Sequence, residues 1–434
     1  MKIINIVPGF GGSFYCGNCL RDGVFVKTLQ AMGHDSVLLP IYLPLSYDKQ
    51  LQTNQMPVFY GAVNIYLKQN YPLFRHMPSW LYRFFDSKPM LGYAARKAGS
   101  TRATGLEEMT WSMLQGSEGF QAEELNRLIV YLKHHEKPDI IHLSNSLLLG
   151  LTRQIKEELK VPVVCSLQDE DVWIDDMSAD YRDKLWNVMA EKGNDVDEFV
   201  AVSNYFGQFM QNKLHIPDNK LHIIPIGVNP DQYQVHTPSL SPPTIGYLSR
   251  MCEENGLEIL IDAFITLKEQ SKFKQTRLKL SGGMTGDNKR FLNKQRMKLQ
   301  KKGYLDDVEF QENFTPDMVS SFFQNVSVLS VPVLRGEAFG LYQLESMASG
   351  IPVVQPALGA FPEIIESTGG GITYQPNTPN ALAAAFTNLF SNPAMLQKMS
   401  MDGRNAIVQK YNSQSLTGQM ISVYENAIRD YVWE

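Results

Sequence analysis

Short apolar runs alternate with amphipathic helical patterns along the chain, and this alternation occurs in two series. Short, almost wholly apolar runs are typical of parallel strands, because both faces of a parallel sheet are buried. In the first series the predicted strands are 2–7, 36–40, 140–143, 162–167, 198–202 and 222–225. Helical patterns lie between these runs, for example at 24–32 and 149–159. This order is typical of a doubly wound α/β sheet.

A polar stretch interrupted by prolines separates the two series and is the best candidate for a linker. Its prolines are Pro230, Pro238, Pro242 and Pro243. Beyond it the pattern resumes with a helix at 257–270 and strands at 244–248, 277–281, 308–311, 326–331 and 352–355. We therefore predict an α/β protein with two facing Rossmann-like domains, 1–235 and 236–413. We expect ligands to bind between them, at the carboxyl ends of the strands.

Length, composition and charge fit a globular two-domain protein. A chain of 434 residues is too long for one ordinary core, and 44% hydrophobic with 20% charged residues is a common globular composition. The net charge of −5 gives no general attraction to nucleic acid, so we expect no such partner. No apolar run is long enough to span a membrane, and residues 1–8 are interrupted too soon for a signal peptide. We expect a cytoplasmic protein.

The four cysteines do not indicate a disulfide framework in a chain of this length, which suits a reducing compartment. Cys16 and Cys19 form a Cys-x-x-Cys motif in the first loop after a strand. No second cysteine pair and no histidine at ligand spacing accompany the motif, so we expect no metal there. We interpret it as part of a binding surface, and a redox role is the alternative.

The segment 68–102 departs from the alternation of strands and helices. It contains several basic residues but a single acidic residue, Asp86, and aromatic residues are interspersed among the basic ones. Such a mixture suits an acceptor surface that stacks on sugars, or a peripheral membrane contact. The interpretation that we favour is an insertion whose aromatic side chains pack on the first domain while its basic groups stay in water.

The most specific chemical pattern lies at 335–354. An apolar run is followed there by a glycine-containing loop and a short helix, which together present backbone N–H groups and a positive dipole end to a phosphate. Glu337 precedes this helix and Glu345 lies within its apolar stripe. A carboxylate in that position needs a partner, and ligand hydroxyl groups are the natural candidates. The alternative is that both glutamates only cap and solubilise the helix.

The string from Arg335 to Val354 resembles the paired-glutamate signature of the retaining family-4 glycosyltransferases (glycosyltransferase group 1), which have the GT-B fold. In that fold the last helix returns to the first domain, which implies that 414–434 pack on 1–235. The resemblance implies transfer of a sugar from a nucleoside-diphosphate sugar to a carbohydrate or lipid-linked acceptor. It implies no metal and no further cofactor.

The resemblance also implies roles for single residues. Arg250, at the end of a strand, would stabilise the leaving diphosphate, because a guanidinium group binds phosphate bidentately and keeps its charge. Glu337 would contact hydroxyl groups of the transferred sugar, and Glu345 those of the ribose. The other implied donor-binding residues are Gly11, Gly12, Gly282, Phe339, Gly340 and Leu341.

Residues implied in the acceptor vicinity follow two first-domain strands. They are His142, Ser144, Asn145, Gln168 and Asp169. His142 is somewhat better explained as a hydrogen-bonded structural histidine than as a catalytic group. The chain departs from the family at Ser144 and Gln168, where histidine is usual, and at Asn255, where lysine is usual. An asparagine amide can bond a phosphate but supplies no charge.

These departures keep a second hypothesis open, a non-catalytic sugar-nucleotide-binding protein or partner subunit. A sugar-nucleotide epimerase with the same architecture is a third. The presence of Arg250, Glu337 and Glu345 favours the first hypothesis. We therefore predict a retaining, metal-independent glycosyltransferase of glycan or glycolipid biosynthesis.

Overall fold

A computed structural model describes residues 1–9, 14–42, 59 and 105–431. The chain forms two compact units. The first unit comprises Met1–Gly11, Asp22–Pro225 and Thr417–Glu434, and the second comprises Gly12–Arg21 and Ile226–Leu416. Both ends of the chain thus belong to the first unit, and a short stretch near the N-terminus belongs to the second.

The first unit is built on a six-stranded parallel sheet with the order β2-β1-β3-β4-β5-β6. The strands are β1 (Lys2–Val7), β2 (Asp35–Pro40), β3 (Ile140–Leu143), β4 (Val163–Leu167), β5 (Glu198–Ala201) and β6 (Leu221–Ile223). The side chains of β3 and β4 are buried throughout, as expected for central strands covered on both faces. Strands β2 and β3 lie on opposite sides of β1, so a topological switch point lies between β1 and β3.

Helices connect these strands. They are α1 (Gly17–Ala31), α2 (Glu107–Leu114), α3 (Ala122–Tyr131), α4 (Thr152–Leu159), α5 (Glu170–Ile174), α6 (Ala179–Gly193) and α7 (Asn204–Leu214). A 3-10 turn, Ser146–Leu151, precedes α4, which explains why a single helix was predicted over 149–159. Asn145 begins this turn, since its side chain accepts a hydrogen bond from the Leu147 N–H group at 3.1 Å.

The second unit repeats this design with a parallel sheet of order β12-β11-β10-β7-β8-β9. Its strands are β7 (Thr244–Leu248), β8 (Arg277–Ser281), β9 (Val308–Phe310), β10 (Val328–Leu329), β11 (Val353–Pro356) and β12 (Gly371–Tyr374). Its helices are α8 (Leu257–Lys268), α9 (Lys289–Lys302), α10 (Met318–Phe322), α11 (Leu341–Ala348), α12 (Phe361–Thr368), α13 (Pro379–Phe390) and α14 (Pro393–Lys410). The edge strand β12 was not predicted, because its short Gly-Ile-Thr-Tyr sequence carries a weak apolar pattern.

The last helix, α15 (Ser413–Asp430), returns to the first unit for most of its length. Tyr424, which is fully buried, places its hydroxyl 2.5 Å from Nδ1 of His142 on β3. The same imidazole lies 2.8 Å from the Ser166 hydroxyl through Nε2. The predicted fold class, two Rossmann-like halves with a returning C-terminal helix, is therefore confirmed. Over the described part of the chain, no helix combines the length and the apolar character needed to cross a membrane.

Candidate active site

The sheet order of the second unit brings the predicted donor residues to one edge. Strand β7 lies between β10 and β8, so the switch point of this sheet lies between β7 and β10. Arg250 follows β7, Gly282 follows β8, and the loop with Glu337 follows β10. All three therefore leave the carboxyl edge of the same parallel sheet.

The loop of Arg250 is held by hydrogen bonds from two neighbouring side chains. The Tyr247 hydroxyl donates to the Arg250 carbonyl at 2.8 Å. The Asn255 amide donates to the Ser249 hydroxyl at 2.8 Å and to the Arg250 carbonyl at 3.3 Å. Asn255 thus fixes the backbone that carries the guanidinium group, a role different from the phosphate contact considered for its amide. The guanidinium carbon of Arg250 lies 5.6 Å from the centre of the Phe14 ring.

Gly282 has a backbone conformation that requires glycine. Its φ is +118°, and a Cβ atom would lie 2.2 Å from the Ser249 carbonyl oxygen. The missing side chain allows the segment after β8 to pass close to the segment after β7. The Gly282 carbonyl accepts a hydrogen bond from the Tyr15 N–H group at 2.7 Å.

Glu337 is half-buried, and the Tyr342 hydroxyl donates to its Oε2 at 3.0 Å. Its carbonyl accepts from the Ala360 N–H group at 3.1 Å, which attaches the glutamate loop to the start of α12. Gly340, with φ +86°, turns the chain into α11, and the first N–H groups of a helix have no partner four residues earlier within it. Phe339 and Leu341, on either side of this turn, are buried.

Glu345 lies on α11, which is buried along its whole length. Its side chain is 4% exposed, and two tyrosine hydroxyls donate to it: Tyr15 to Oε2 at 2.6 Å and Tyr233 to Oε1 at 3.2 Å. Burial raises the pKa of Glu345 from 4.5 to about 7, and the two hydrogen bonds oppose that rise. The sequence indicated ligand hydroxyl groups as partners for this carboxylate, but the structure supplies hydroxyl groups from the chain itself.

Sequence reasoning missed these tyrosines for different reasons. Tyr342 stands five residues after Glu337, so a local signal existed. Tyr15 is separated from Glu345 by 330 positions, and only the tertiary structure brings the two together. Burial also raises the pKa of Tyr15 well above its ordinary value, so its hydroxyl keeps its proton and remains a donor.

Cys16 and Cys19, next to Tyr15, form a disulfide bond, which the sequence interpretation did not predict. Their Cα atoms are 5.4 Å apart, within the range that a disulfide requires. In the part of the chain that the structure describes, no group of three or more His, Cys, Asp or Glu side chains is arranged to hold a metal ion.

In the first unit, the predicted acceptor residues are engaged mostly with one another and with the fold. Both ring nitrogens of His142 are in hydrogen-bond contact, as a structural histidine requires. The Gln168 amide donates to the Ser144 carbonyl at 2.7 Å, which joins the ends of β3 and β4. Asn145 caps the following turn, and Asp169 precedes α5 with φ 56°.

Glu170 fixes the backbone at the same edge. It is buried, and its carboxylate accepts from the N–H groups of Ser146 at 2.8 Å and Gln168 at 2.7 Å. Burial raises the pKa of Glu170 to about 7, and the backbone hydrogen bonds lower it in part. These bonds hold the loops after β3 and β4 in one fixed arrangement.

A cavity of about 360 Å³ opens at this edge of the first unit. Its described lining residues are Pro8, Tyr42, Leu106, Met109, Thr110, Met113, Asn145, Leu147, Leu148 and Trp173. Three of its polar side chains bond within the fold, because Trp173 Nε1 donates to the Thr110 hydroxyl at 3.3 Å and Asn145 Oδ1 accepts from the Leu147 N–H group. The cavity therefore offers mainly apolar contacts.

Three of the predicted features lie outside the described residues. Gly11 and Gly12 fall within 10–13, and the basic and aromatic segment 68–102 falls within 60–104. Their predicted roles stay predictions.

Two family models together match residues 111–406. The model described as "Glycosyl transferases group 1" matches residues 229–406, and the model described as "Glycosyltransferase Family 4" matches residues 111–232. A similar curated protein, an uncharacterized glycosyltransferase of Methanocaldococcus jannaschii, is 22% identical over 339 residues, which are 74% of this chain and 82% of that protein.

Solved structures of two proteins have a similar fold over nearly the whole chain. Sucrose-phosphate synthase from Thermosynechococcus elongatus has a TM-score of 0.70 with 16% identity, covering 99% of this chain and 100% of that one. HepE from Anabaena, in complex with UDP, has a TM-score of 0.68 with 15% identity, covering 98% and 100%. HepE was also solved with UDP-glucose, and that structure gives a TM-score of 0.65 at 16% identity over 98% and 100%.

The raised pKa of Glu345 predicts a pH-dependent effect of Glu345→Gln on stability. Between pH 4.5 and about 7 the folded chain binds more protons at this site than the unfolded chain, so stability falls as pH rises through that window. The shift corresponds to about 3 kcal/mol at most. We expect the variant to have a higher Tm than the wild type at pH 8, and a smaller difference at pH 5.

Glu366→Gln, at an exposed position of α12, is the matched control and is expected to leave Tm nearly unchanged at both pH values. A Tm of Glu345→Gln below that of the wild type at pH 8 would show that the ionised carboxylate stabilises the fold.

Proposed function

Because the chain belongs to the group 1 glycosyltransferases and has their GT-B fold, we propose that it transfers a sugar from a nucleoside-diphosphate sugar to an acceptor hydroxyl group with retention of configuration. The observation that carries this proposal is the joint placement of Arg250, Glu337 and Glu345 at the carboxyl edge of the second sheet. The binding of UDP and UDP-glucose by HepE, a structural neighbour, supports a nucleotide-sugar donor.

The donor is proposed to lie along this edge of the second unit. Its diphosphate would meet the Arg250 guanidinium group and the N–H groups at the start of α11, beside Gly340 and Leu341. Its ribose hydroxyl groups would bond the Glu345 carboxylate, and Glu337 would bond hydroxyl groups of the transferred sugar. The Tyr342 hydroxyl, bonded to Glu337, would orient that carboxylate.

The proposed transfer needs no covalent sugar intermediate on the protein. The bond between the anomeric carbon and the diphosphate oxygen breaks, and the acceptor oxygen bonds to the same carbon from the same face. The acceptor proton passes to the departing diphosphate, whose negative charge grows as the old bond breaks. A fixed positive charge at Arg250 stabilises that developing charge without reorganisation, which lowers the barrier.

The acceptor is proposed to bind on the first unit, with an apolar part in the cavity beside Asn145. Ligands of doubly wound sheets bind at the carboxyl edge near the switch point, where this cavity lies. Since its lining is mainly apolar, a sugar hydroxyl group placed inside would lose hydrogen bonds to water and find few replacements. A hydrocarbon or aromatic group attached to the acceptor sugar suits the cavity better, as in a glycolipid.

Arg250→Ala is expected to reduce kcat about 100-fold, because it removes the main charged side chain on the leaving group. The measurement is release of nucleoside diphosphate from UDP- and GDP-sugars in the presence of an acceptor pool. Arg277→Ala, at an exposed position that opens β8, is the matched control and should retain kcat. Turnover that is equal in both variants would remove Arg250 from the reaction. A wild type that binds these donors but transfers none would favour the binding-protein hypothesis.

Turnover is also expected to persist in excess EDTA, because a guanidinium group and a helix N-terminus neutralise the diphosphate in this proposal. The measurement is the initial rate before and after exhaustive chelation. Loss of the rate with EDTA, and its recovery with Mn²⁺ or Mg²⁺, would contradict metal-independent transfer.

Leu148→Trp is expected to fill the cavity and to raise KM about tenfold for an octyl glycoside acceptor, since each buried methylene contributes about 0.8 kcal/mol. KM for the corresponding methyl glycoside should change little. Val130→Trp, an exposed position of α3, adds the same side chain outside the cavity and serves as control. Equal effects of Leu148→Trp on both acceptors would contradict an apolar acceptor subsite.

A further inference from the structure

Two residues of the chain itself engage three of the groups that are proposed to hold the donor. The Tyr15 hydroxyl donates to Glu345 at 2.6 Å. The Tyr15 N–H group donates to the Gly282 carbonyl at 2.7 Å. The Phe14 ring centre lies 5.6 Å from the guanidinium carbon of Arg250. These contacts involve a carboxylate, a backbone loop and a cation, and all lie within the second unit.

Main-chain and side-chain contacts together hold the dipeptide Phe14–Tyr15 in one position. Phe14 forms an antiparallel bridge with Gly283, directly after the loop position that only glycine can occupy. The Tyr15 side chain is 5% exposed, and its ring packs edge-on against Phe314 with a centroid separation of 5.5 Å. Its ring centre lies 6.3 Å from that of Tyr342, whose hydroxyl bonds Glu337.

The contact with Glu345 competes with a ribose hydroxyl group for the same atom. Glu345 is 4% exposed, and Tyr233 already donates to its other oxygen at 3.2 Å. A hydroxyl group of a ligand that bonds Oε2 would therefore compete with the Tyr15 hydroxyl for that atom. Both ligands offer the same chemistry, a neutral O–H donor to a buried carboxylate.

We propose that Phe14 and Tyr15 form an internal ligand of the donor site, which a nucleoside-diphosphate sugar must displace in order to bind. The inference rests on the proposed function, since it assumes that the donor uses Glu345, Gly282 and Arg250. Without donor, the Tyr15 hydroxyl satisfies a carboxylate that would otherwise be buried without one of its partners. With donor, the ribose takes over that hydrogen bond.

This internal ligand lowers the apparent donor affinity. The site binds donor only in the fraction of molecules from which Phe14 and Tyr15 have withdrawn, so the measured Kd exceeds the intrinsic Kd by the inverse of that fraction. Weakening the contacts of Phe14 and Tyr15 raises the fraction of molecules in which the site is open to the donor. Loss of the Tyr15 hydroxyl should therefore tighten donor binding, whereas loss of a residue that contacts the donor would weaken it.

The first experiment measures the Kd of UDP and of UDP-glucose by calorimetry for the full chain and for Tyr15→Phe. We expect Tyr15→Phe to bind both ligands about tenfold more tightly. The variant loses the hydrogen bond to Glu345 that stabilises the closed state, in which Tyr15 occupies the site, and loses nothing in the open state. Tyr15→Ala, which also removes the ring contacts with Phe314 and Tyr342, should bind at least as tightly. Tyr374→Phe is the matched control, since it removes another buried tyrosine hydroxyl of the second unit, bonded to Asn377 at 2.8 Å. Its Kd should equal that of the wild type.

The second experiment follows hydrogen exchange of the Tyr15 amide in the wild type, with and without saturating UDP-glucose. The amide is bonded to Gly282 in the closed state, so displacement by the donor should speed its exchange. A ligand that closed this segment over itself would slow the exchange instead.

The outcomes separate this inference from the proposed function. If the wild type binds UDP-glucose and Tyr15→Phe binds it equally or more weakly, or if exchange at Tyr15 slows with ligand, the internal ligand is contradicted and the donor site stands. If no variant, Tyr15→Ala included, binds either nucleotide or any of the UDP- and GDP-sugars, the proposed function fails and the inference fails with it. Binding by Tyr15→Ala where the wild type binds nothing would support a strongly closed site.

Discussion

A carboxylate inside a helix that is buried on every side is the constraint on which the candidate donor site depends. Ionised Glu345 is stable at 4% exposure only while hydrogen-bond donors surround it, because burial of an unpartnered charge is costly. The chain meets this need with the hydroxyl groups of Tyr15 and Tyr233. Neutral donors satisfy the carboxylate without a permanent countercharge, so a ligand hydroxyl group can replace one of them.

Hydrogen bonds fix the backbone of the loops around this carboxylate. The side chains that are proposed to bind the donor stay at the carboxyl edge of the sheet. Tyr247 and Asn255 hold the backbone of Arg250, and Ala360 holds that of Glu337. Gly282 allows two of these loops to approach closely. The replacement of the usual lysine by Asn255 thus exchanges a second cation for a rigid support of the first. Arg250 then provides the principal charged side chain for a diphosphate in the proposed mechanism.

In the first unit, hydrogen bonds likewise fix the loops at the carboxyl edge of the sheet, and a cavity lies beside them. His142 bonds Ser166 and Tyr424, and the Gln168 amide donates to the Ser144 carbonyl. Gln168, where the family usually has a histidine, thus joins two strand ends here. Glu170 adds two further backbone hydrogen bonds. The neighbouring cavity is apolar, and this favours an acceptor that brings an apolar group with it.

The two parallel sheets could be predicted from the sequence, because buried parallel strands appear as short, almost wholly apolar runs. The order of the strands within each sheet was known only from the structure. The sequence also singled out Arg250, Glu337 and Glu345, through the string from Arg335 to Val354 and the strand end before Arg250. The groups that donate hydrogen bonds to Glu345 could be identified only in the folded chain. Tyr15 is 330 positions away, and hydrogen bonds between residues so far apart leave no periodic signal. The return of α15 was implied only by resemblance, and the Tyr424–His142 contact that fixes it also joins distant positions that local pattern does not connect.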